Sequence, residues 1–226
     1  MYFLTSAAKY YKAEPHQDRA WEELEAKLPA YLLEEFKAVY RGSPDPSVSL
    51  ITFTKQTFED LTGYSKVLFT DQEVSDCNQM LKDTGFGEDP ELASMLIANI
   101  LHETANMRYV KEIADGWAYE GRSDLGNTQP GDGPRFKGAG VLQLTGRYNY
   151  SRLSEALNDS RVMEGCDYVA STYPFRSALP WIAENQLLKI AKTNGFDAVC
   201  HRINGGWNGY QDRKSKFQIC KDVLLP

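Results

Sequence analysis

The apolar run from Leu92 to Leu101 constrains the fold of this chain more than any other segment. It is apolar on nearly every side, which predicts a helix buried inside a sizeable domain. Asp89 is suited to cap the start of this helix, and Pro90 fits its first position. At the other end the run stops abruptly at His102 and Glu103, two polar residues that a buried helix does not need.

The composition is that of an ordinary globular domain. The chain has 226 residues, of which 42% are hydrophobic and 25% charged, so we expect one large domain with at most a small addition. The net charge of -6, without a cluster of Lys and Arg, argues against a nucleic-acid partner. No run reaches the roughly 20 apolar residues of a membrane span, and we expect a monomer.

A segment rich in turn-forming residues, 41–47, divides the sequence in two. Before it, apolar residues recur at helical spacing on both sides of Pro29, which predicts a helical hairpin over residues 1–46. This hairpin is expected to pack on the remaining chain. Residues 47–226 are predicted to form the main domain.

Within that domain the pattern predicts a mainly α fold with little β structure. A helical region is expected from Thr54 to Asp83, with Val67 and Leu68 on its apolar stripe, and the segment 141–145 is a candidate short strand. The Gly-, Asn-, Asp- and Pro-rich segment 121–140 must be irregular. A loop of this length inside a compact domain is usually functional or disordered.

Glu103 is a candidate general acid. It falls on one helical stripe with Leu92, Leu96 and Ile100, so its carboxyl group is expected to be partly desolvated, which favours the protonated form. The alternative is a purely structural carboxylate that points to solvent or pairs with Arg108 at the helix end.

Other chemistry is less well supported by the residues. His102 lacks the second histidine four residues later that a zinc-protease helix requires, and the four cysteines lack C-x-x-C spacing, so no metal site is expected. The glycine-rich stretches do not match nucleotide-binding loops.

Two carboxylates in different environments are the minimal equipment for hydrolysing a glycosidic bond. Glu120, just before the long loop, is a candidate for the second carboxylate. Spacing alone leaves other acidic residues open for that role: Glu112, Asp115, Asp124 and Asp132.

Four motifs in order resemble glycoside hydrolase family 19, which contains chitinases and related bacteriophage endolysins. They are "ITFTKQTFEDLTG" from Ile51, "HET" from His102, "YEGRSDLGNTQPGDGPRFKGAGVLQLTGRYNY" from Tyr119 and "INGGWNG" from Ile203. The resemblance implies that residues 47–226 form a lysozyme-like, α-helical catalytic domain with a cleft for β-1,4-linked sugars that contain N-acetylglucosamine. Binding to a cell wall is then the alternative role for the hairpin over residues 1–46. The resemblance also implies inversion at the anomeric carbon without a metal or organic cofactor, with carboxylates roughly 6.5 to 9.5 Å apart.

The resemblance also implies roles for individual residues. Glu103 matches the family's general acid, Glu120 its general base, and Thr145 the residue that helps to hold the attacking water. The remaining matches are substrate-binding or supporting positions: Gln143, Tyr148, Asn149, Asn204 and the late arginine, Arg213. One departure is Ala139, which stands where many relatives have arginine, so the contact made by that arginine is either absent or supplied by Arg135 or Lys137.

Three functions remain open at this point. The first is a phage or bacterial lytic enzyme that cuts peptidoglycan, made in a cytoplasm without a signal peptide and released to the cell wall by a holin-like route. The second is a chitinase, although a secreted enzyme would more often carry an export signal. The third is a sugar-binding module without activity, against which the presence of both carboxylates and Thr145 counts.

Overall fold

A computed structural model of the chain describes residues 50–225. The predicted N-terminal hairpin over residues 1–46 lies outside them, so that prediction stays open. The helices in the described part are α1 (Lys55–Thr62), α2 (Asp71–Thr84), α3 (Pro90–Glu103), α4 (Asp132–Arg135), α5 (Arg147–Leu157), α6 (Cys166–Thr172), α7 (Leu179–Glu184), α8 (Leu187–Asn204) and α9 (Tyr210–Leu224).

The central element is α3, as the apolar run predicted. Asp89 caps it by accepting hydrogen bonds from the backbone N–H groups of Glu91 and Leu92, at 2.8 and 3.0 Å. Residues 92–101 are all buried. The helix packs most extensively against α9 and also against α8, which places its C-terminal end beside the start of α9.

A second, smaller core lies around α5 and α6. Phe136, Tyr150 and Leu153 are fully buried there, together with Val162 and Val169. Phe136 precedes the segment 137–146 and Tyr150 follows it in the sequence. Because both are in this core, the core supports the loop between them, which carries several predicted site residues. The tyrosine hydroxyl also donates to the Lys137 carbonyl oxygen at 2.7 Å.

Strand structure in residues 50–225 is limited to two isolated antiparallel bridges, Lys111 with Ala139 and Ala139 with Leu144. The predicted strand over 141–145 is therefore wrong. Gln143 has a left-handed φ of 53°, which turns the chain back so that Leu144 pairs with Ala139. Backbone hydrogen bonds close this turn, from the Gln143 N–H to the Gly140 carbonyl oxygen and in both directions between Ala139 and Leu144. The apolar pattern of five residues does not reveal such a turn.

The helical region expected from Thr54 to Asp83 is broken. Gly63 ends α1 in a left-handed conformation, and Thr70 begins α2 as its N-cap. Between them, Val67 and Leu68 are 80% and 66% exposed, so they do not belong to a buried stripe. No helix in residues 50–225 is long and apolar enough to cross a membrane.

Candidate active site

Glu103 is the last residue of α3, and its carboxylate lies at the surface. The side chain is 30% exposed, and its Oε1 accepts a hydrogen bond from Arg213 Nη2 at 2.5 Å. The apolar stripe predicted a partly desolvated carboxyl group, and Arg213 covers one of its two oxygens. The helix turns its apolar faces inward along its whole length, but it ends where the domain meets solvent.

Arg213, near the start of α9, is only 2% exposed. Besides Glu103 it binds Asn99, to which Nη1 donates at 2.8 Å, and the Asn208 carbonyl oxygen, to which Nε donates at 3.4 Å. A buried guanidinium must be paired and hydrogen-bonded, because an isolated buried charge is very costly. Arg213 therefore fixes one oxygen of Glu103 and ties α3 to α9.

The chain leaves α3 through an unusual turn. Ala105, Asn106 and Met107 have φ values of 48°, 59° and 67°, a conformation that non-glycine residues rarely adopt. Buried Thr104 holds the turn, since its Oγ1 donates to the Ile100 carbonyl oxygen at 2.7 Å and accepts from the Met107 N–H at 2.8 Å. Such strained backbone clusters at functional sites.

His102 turns away from Glu103 toward α9. Its Nδ1 lies 2.6 Å from Asp212 Oδ2, and Asp212 also pairs with Lys216 at 2.8 Å. Nowhere in residues 50–225 do three or more His, Cys, Asp or Glu side chains group so that they would hold a metal ion. Cys77, Cys166, Cys200 and Cys220 are buried free thiols.

Glu112 lies beside the segment 138–143. Its Oε2 accepts from the Gly138 N–H at 2.8 Å, and its Oε1 accepts from the Tyr119 hydroxyl at 3.1 Å. A Cβ atom at Gly138 would lie 2.6 Å from Gln143 Oε1 and 3.0 Å from Glu112 Oε2. The carboxylate of Glu112 and the carboxamide of Gln143 are therefore neighbours.

Glu120 has different surroundings. Its two oxygens accept from the backbone N–H groups of Gly131 and Gly133, each at 2.8 Å. A Cβ atom at Gly133 would lie 2.6 Å from Glu120 N, so the loop backbone packs directly on this residue. Glu120 braces the long loop, and its carboxylate makes no hydrogen bond to a predicted substrate-binding residue within the described part of the chain.

An ion pair with a buried carboxylate holds the same loop from its other side. The Arg147 guanidinium binds Asp132 through Nε at 2.8 Å and Nη2 at 2.6 Å, and the Asp132 side chain is 2% exposed. Hydrogen bonds from Arg147 lower the pKa of Asp132 below its usual value. The glycine-rich segment is thus a fixed loop with two carboxylate anchors, Glu120 and Asp132.

Three of the predicted sugar-contacting or water-holding residues share one cavity of about 260 Å³. These are Gln143, Thr145 and Asn149, and the apolar part of the wall includes Leu142 and Trp181. Thr145 Oγ1 donates to the Gln143 carbonyl oxygen at 2.9 Å, which leaves its lone pairs to accept from a water molecule.

Tyr148 and Asn204 lie outside this cavity. Tyr148 is 58% exposed on the first turn of α5. Asn204 ends α8, and its Nδ2 is a buried donor without a hydrogen-bond partner in the described residues. Trp207, in the same late loop, is 58% exposed, as expected of an aromatic residue available for stacking.

Ala139, at the position where an arginine was expected, is fully buried. Lys137, considered as a replacement, donates to the Ala114 carbonyl oxygen at 2.7 Å. Arg135 is the last residue of α4, and its backbone lies against Gly165. The Lys137 ammonium is thus engaged in a local contact away from Ala139.

The fold matches solved chitinases. A bacterial family 19 chitinase superposes with a TM-score of 0.58 at 21% identity, over 76% of this chain and 94% of that one. Chitinase C from Streptomyces griseus superposes with a TM-score of 0.54 at 20% identity, over 76% and 92%. At these identities the likeness concerns the fold, and it confirms the mainly α class predicted from the sequence.

Curated relatives extend the likeness to the sequence. A glycosyl hydrolase family 19 domain-containing protein of Haemophilus influenzae is 30% identical over 102 residues, which is 45% of this chain and 49% of that protein. An endochitinase of Arabidopsis thaliana is 35% identical over 118 residues, 51% of this chain and 40% of that protein. The chain resembles glycoside hydrolase family 19.

The resemblance to family 19 inferred from the four motifs is thereby confirmed. No protein-family model matches the chain. The chain spans under half of the length of the curated relatives that it matches. The family 19 likeness does not itself assign roles to Glu103, Glu112 or Glu120, which must be argued from their surroundings.

Sequence reasoning missed two features of this family 19-like site. One is Asn99, which lies within the apolar run and binds Arg213 from the buried face. A polar residue in an otherwise apolar helix was the available signal. The other is the neighbourhood of Glu112, which depends on a contact with Gly138 across 26 positions of sequence.

Proposed function

We propose that this protein hydrolyses β-1,4 glycosidic bonds next to N-acetylglucosamine in a structural polysaccharide. The observation that carries the proposal is the pairing of Glu103 with buried Arg213 at the solvent-facing end of α3. Similarity to family 19 proteins and chitinases supports the same reaction class. The rival, a sugar-binding module without activity, does not require a carboxylate fixed in this way.

Glu103 acts as the general acid. Arg213 holds Oε1, whereas Oε2 has no hydrogen-bond partner in the described residues, so Oε2 is the oxygen that carries the proton. The proton passes to the glycosidic oxygen as the bond to the anomeric carbon breaks. Arg213 then stabilises the carboxylate that remains.

Glu112 acts as the general base in place of Glu120. It lies beside Gln143, which lines the cavity with Thr145 and Asn149, whereas Glu120 is occupied by the loop backbone. Glu112 removes a proton from a water molecule whose oxygen attacks the anomeric carbon, and Thr145 accepts a hydrogen bond from that water. Glu112 ends protonated and Glu103 ionised, and solvent returns the proton.

Two polymers compete as the substrate. Peptidoglycan, cut by a lytic enzyme, is the substrate that we infer from the sequence. Chitin is the second candidate, favoured by the names of the endochitinase and chitinase relatives. Gln143, Asn149 and Asn204 are proposed to contact the sugars, with Tyr148 at the rim of the site.

Digestion of purified peptidoglycan and of chitin oligomers, followed by mass spectrometry of the fragments, tests the proposal. We expect fragments with new reducing ends from at least one polymer, and the sugar at that end distinguishes a muramidase, a glucosaminidase and a chitinase. If the protein bound either polymer but released no fragments, it would be a binding module and the proposal would be wrong.

A further inference from the structure

Tyr119 contacts the proposed base directly. This residue ends the short turn Trp117–Tyr119, and its hydroxyl donates to Glu112 Oε1 at 3.1 Å. The Gly138 N–H occupies the other oxygen of the same carboxylate at 2.8 Å. With one donor on each oxygen, the carboxylate plane of Glu112 is fixed beside Gln143, which lines the cavity.

The backbone of Tyr119 is itself held in place. Its N–H donates to the Gly116 carbonyl oxygen at 2.9 Å, and its carbonyl oxygen accepts from Asn127 Nδ2 at 2.9 Å. Asn127 is fully buried, and its Oδ1 accepts from the Arg147 N–H at 2.8 Å. The backbone that carries the phenol is therefore linked through Asn127 to Arg147, which also anchors the glycine-rich loop.

The hydroxyl is suited to donate at neutral pH. Burial, and the hydrogen bond to Glu112, raise the pKa of Tyr119 above its ordinary value. The phenol of Tyr119 therefore keeps its proton at neutral pH. A donor to an ionised carboxylate makes a stronger hydrogen bond than a neutral pair does.

We propose that Tyr119 is a positioning residue that orients the Glu112 carboxylate toward the attacking water. The inference rests on the proposed function, because it requires Glu112 to be the base. Tyr119 does not touch the substrate in this account. Its contribution is to keep Glu112 from rotating out of the plane in which it accepts the proton.

Tyr119→Phe, which removes only the hydroxyl, tests the inference through kcat, KM and melting temperature on the polymer that the wild type cuts. We expect kcat to fall about tenfold, the loss typical of one hydrogen bond to a charged group, with KM changed less than about twofold. Tyr168→Phe is the matched control, because the Tyr168 hydroxyl also donates to a carboxylate, that of Asp159, at 2.8 Å. We expect it to leave kcat unchanged.

A double substitution separates positioning from a general structural effect. If Tyr119 acts through Glu112, Tyr119→Phe has no further effect on kcat in a Glu112→Gln background. The inference would be overturned if the loss of kcat in the double variant equalled the product of the two single losses. It would also be overturned if Tyr119→Phe alone left kcat unchanged. Wild-type turnover in Glu112→Gln would instead show that Glu112 is not the base, which is a failure of the proposed function.

Discussion

Arg213 donates a hydrogen bond to Glu103 from a side chain that is almost completely buried. The same guanidinium binds Asn99, one turn earlier on α3. The carboxylate at the helix end is therefore fixed from within the core, although it faces solvent. This arrangement makes the position of Glu103 depend on the packing of α9 against α3.

Arg213→Lys should weaken both stability and turnover. Lysine keeps the charge but cannot serve Asn99, Glu103 and the Asn208 carbonyl together, because it lacks the fork of guanidinium donors. Leaving a buried hydrogen-bonding group unsatisfied costs about 1–3 kcal/mol of unfolding free energy. Urea denaturation and kcat measure the two effects, with Arg202→Lys, an exposed arginine on α8, as the control. A variant as stable and active as the wild type would contradict the role of Arg213.

Glu112→Gln should mainly lower turnover, whereas Glu120→Gln should mainly lower stability. In Glu112→Gln the Tyr119 hydroxyl can reverse its hydrogen bond and accept from the new amide, so we expect kcat to fall at least about 100-fold with little change in melting temperature. The Gly131 and Gly133 N–H groups cannot reverse, so Glu120→Gln should mainly lower the melting temperature. If Glu120→Gln instead abolished turnover in a stable protein, Glu120 would be the base, as the sequence alone suggested.

Gly138→Ala tests the closeness of Glu112 and Gln143. The added methyl group would lie 2.6 Å from Gln143 Oε1, so one of the two side chains must move. We expect turnover to fall at least about tenfold, because misplacing groups at a reacting centre by about 1 Å is costly. Gly87→Ala, which would contact Leu81 at 3.2 Å, is the control and should affect stability more than kcat. Unchanged kcat in Gly138→Ala would mean that these two side chains do not act together.

The pairing of buried Asp132 with Arg147 predicts a pH dependence of stability. The pKa of Asp132 is lower in the folded state than its ordinary value of 3.8. The pair therefore stabilises the protein at pH values above 3.8, and this contribution is lost as the pH falls through the folded-state pKa. Asp132→Asn should therefore cost about 2 kcal/mol at pH 6, with the difference from wild type shrinking below pH 4. Urea denaturation across this range measures it.

Asp124→Asn is the control for that measurement, since Asp124 pairs with Arg122 at the surface. An exposed pair contributes little to stability, so its removal should change unfolding far less at any pH. A constant difference between wild type and Asp132→Asn from pH 6 to pH 3 would contradict the proposed linkage.

Local patterns explain which parts of the fold the sequence predicted. The buried helix, its Asp89 cap and the irregular segment 121–140 follow from composition and spacing within a few turns of chain. The exposure of Val67 and the left-handed turn at Gln143 do not, because each depends on what packs against the segment. A short apolar pair has no local signal that distinguishes a buried stripe from a surface turn.

Some residues of the candidate site could likewise be predicted from local sequence, and others could not. Glu103 was found because it ends an apolar helix, and Arg213 only through resemblance to family 19. The choice between Glu112 and Glu120 required tertiary structure, since it depends on which backbone N–H groups reach each carboxylate. Nothing in the spacing of either residue indicates that Glu120 faces the loop at Gly131 or that Glu112 adjoins Gln143.

Turnover by Glu103→Gln on peptidoglycan and chitin oligomers tests the central claim most directly, with polymer binding measured on the same preparation. We expect a folded protein that binds the polymer but has lost at least about 100-fold in kcat, because the amide cannot protonate the leaving oxygen. Glu91→Gln, at the exposed start of the same helix, should retain activity. Near wild-type turnover in Glu103→Gln would show that Glu103 is not the acid and would contradict the account.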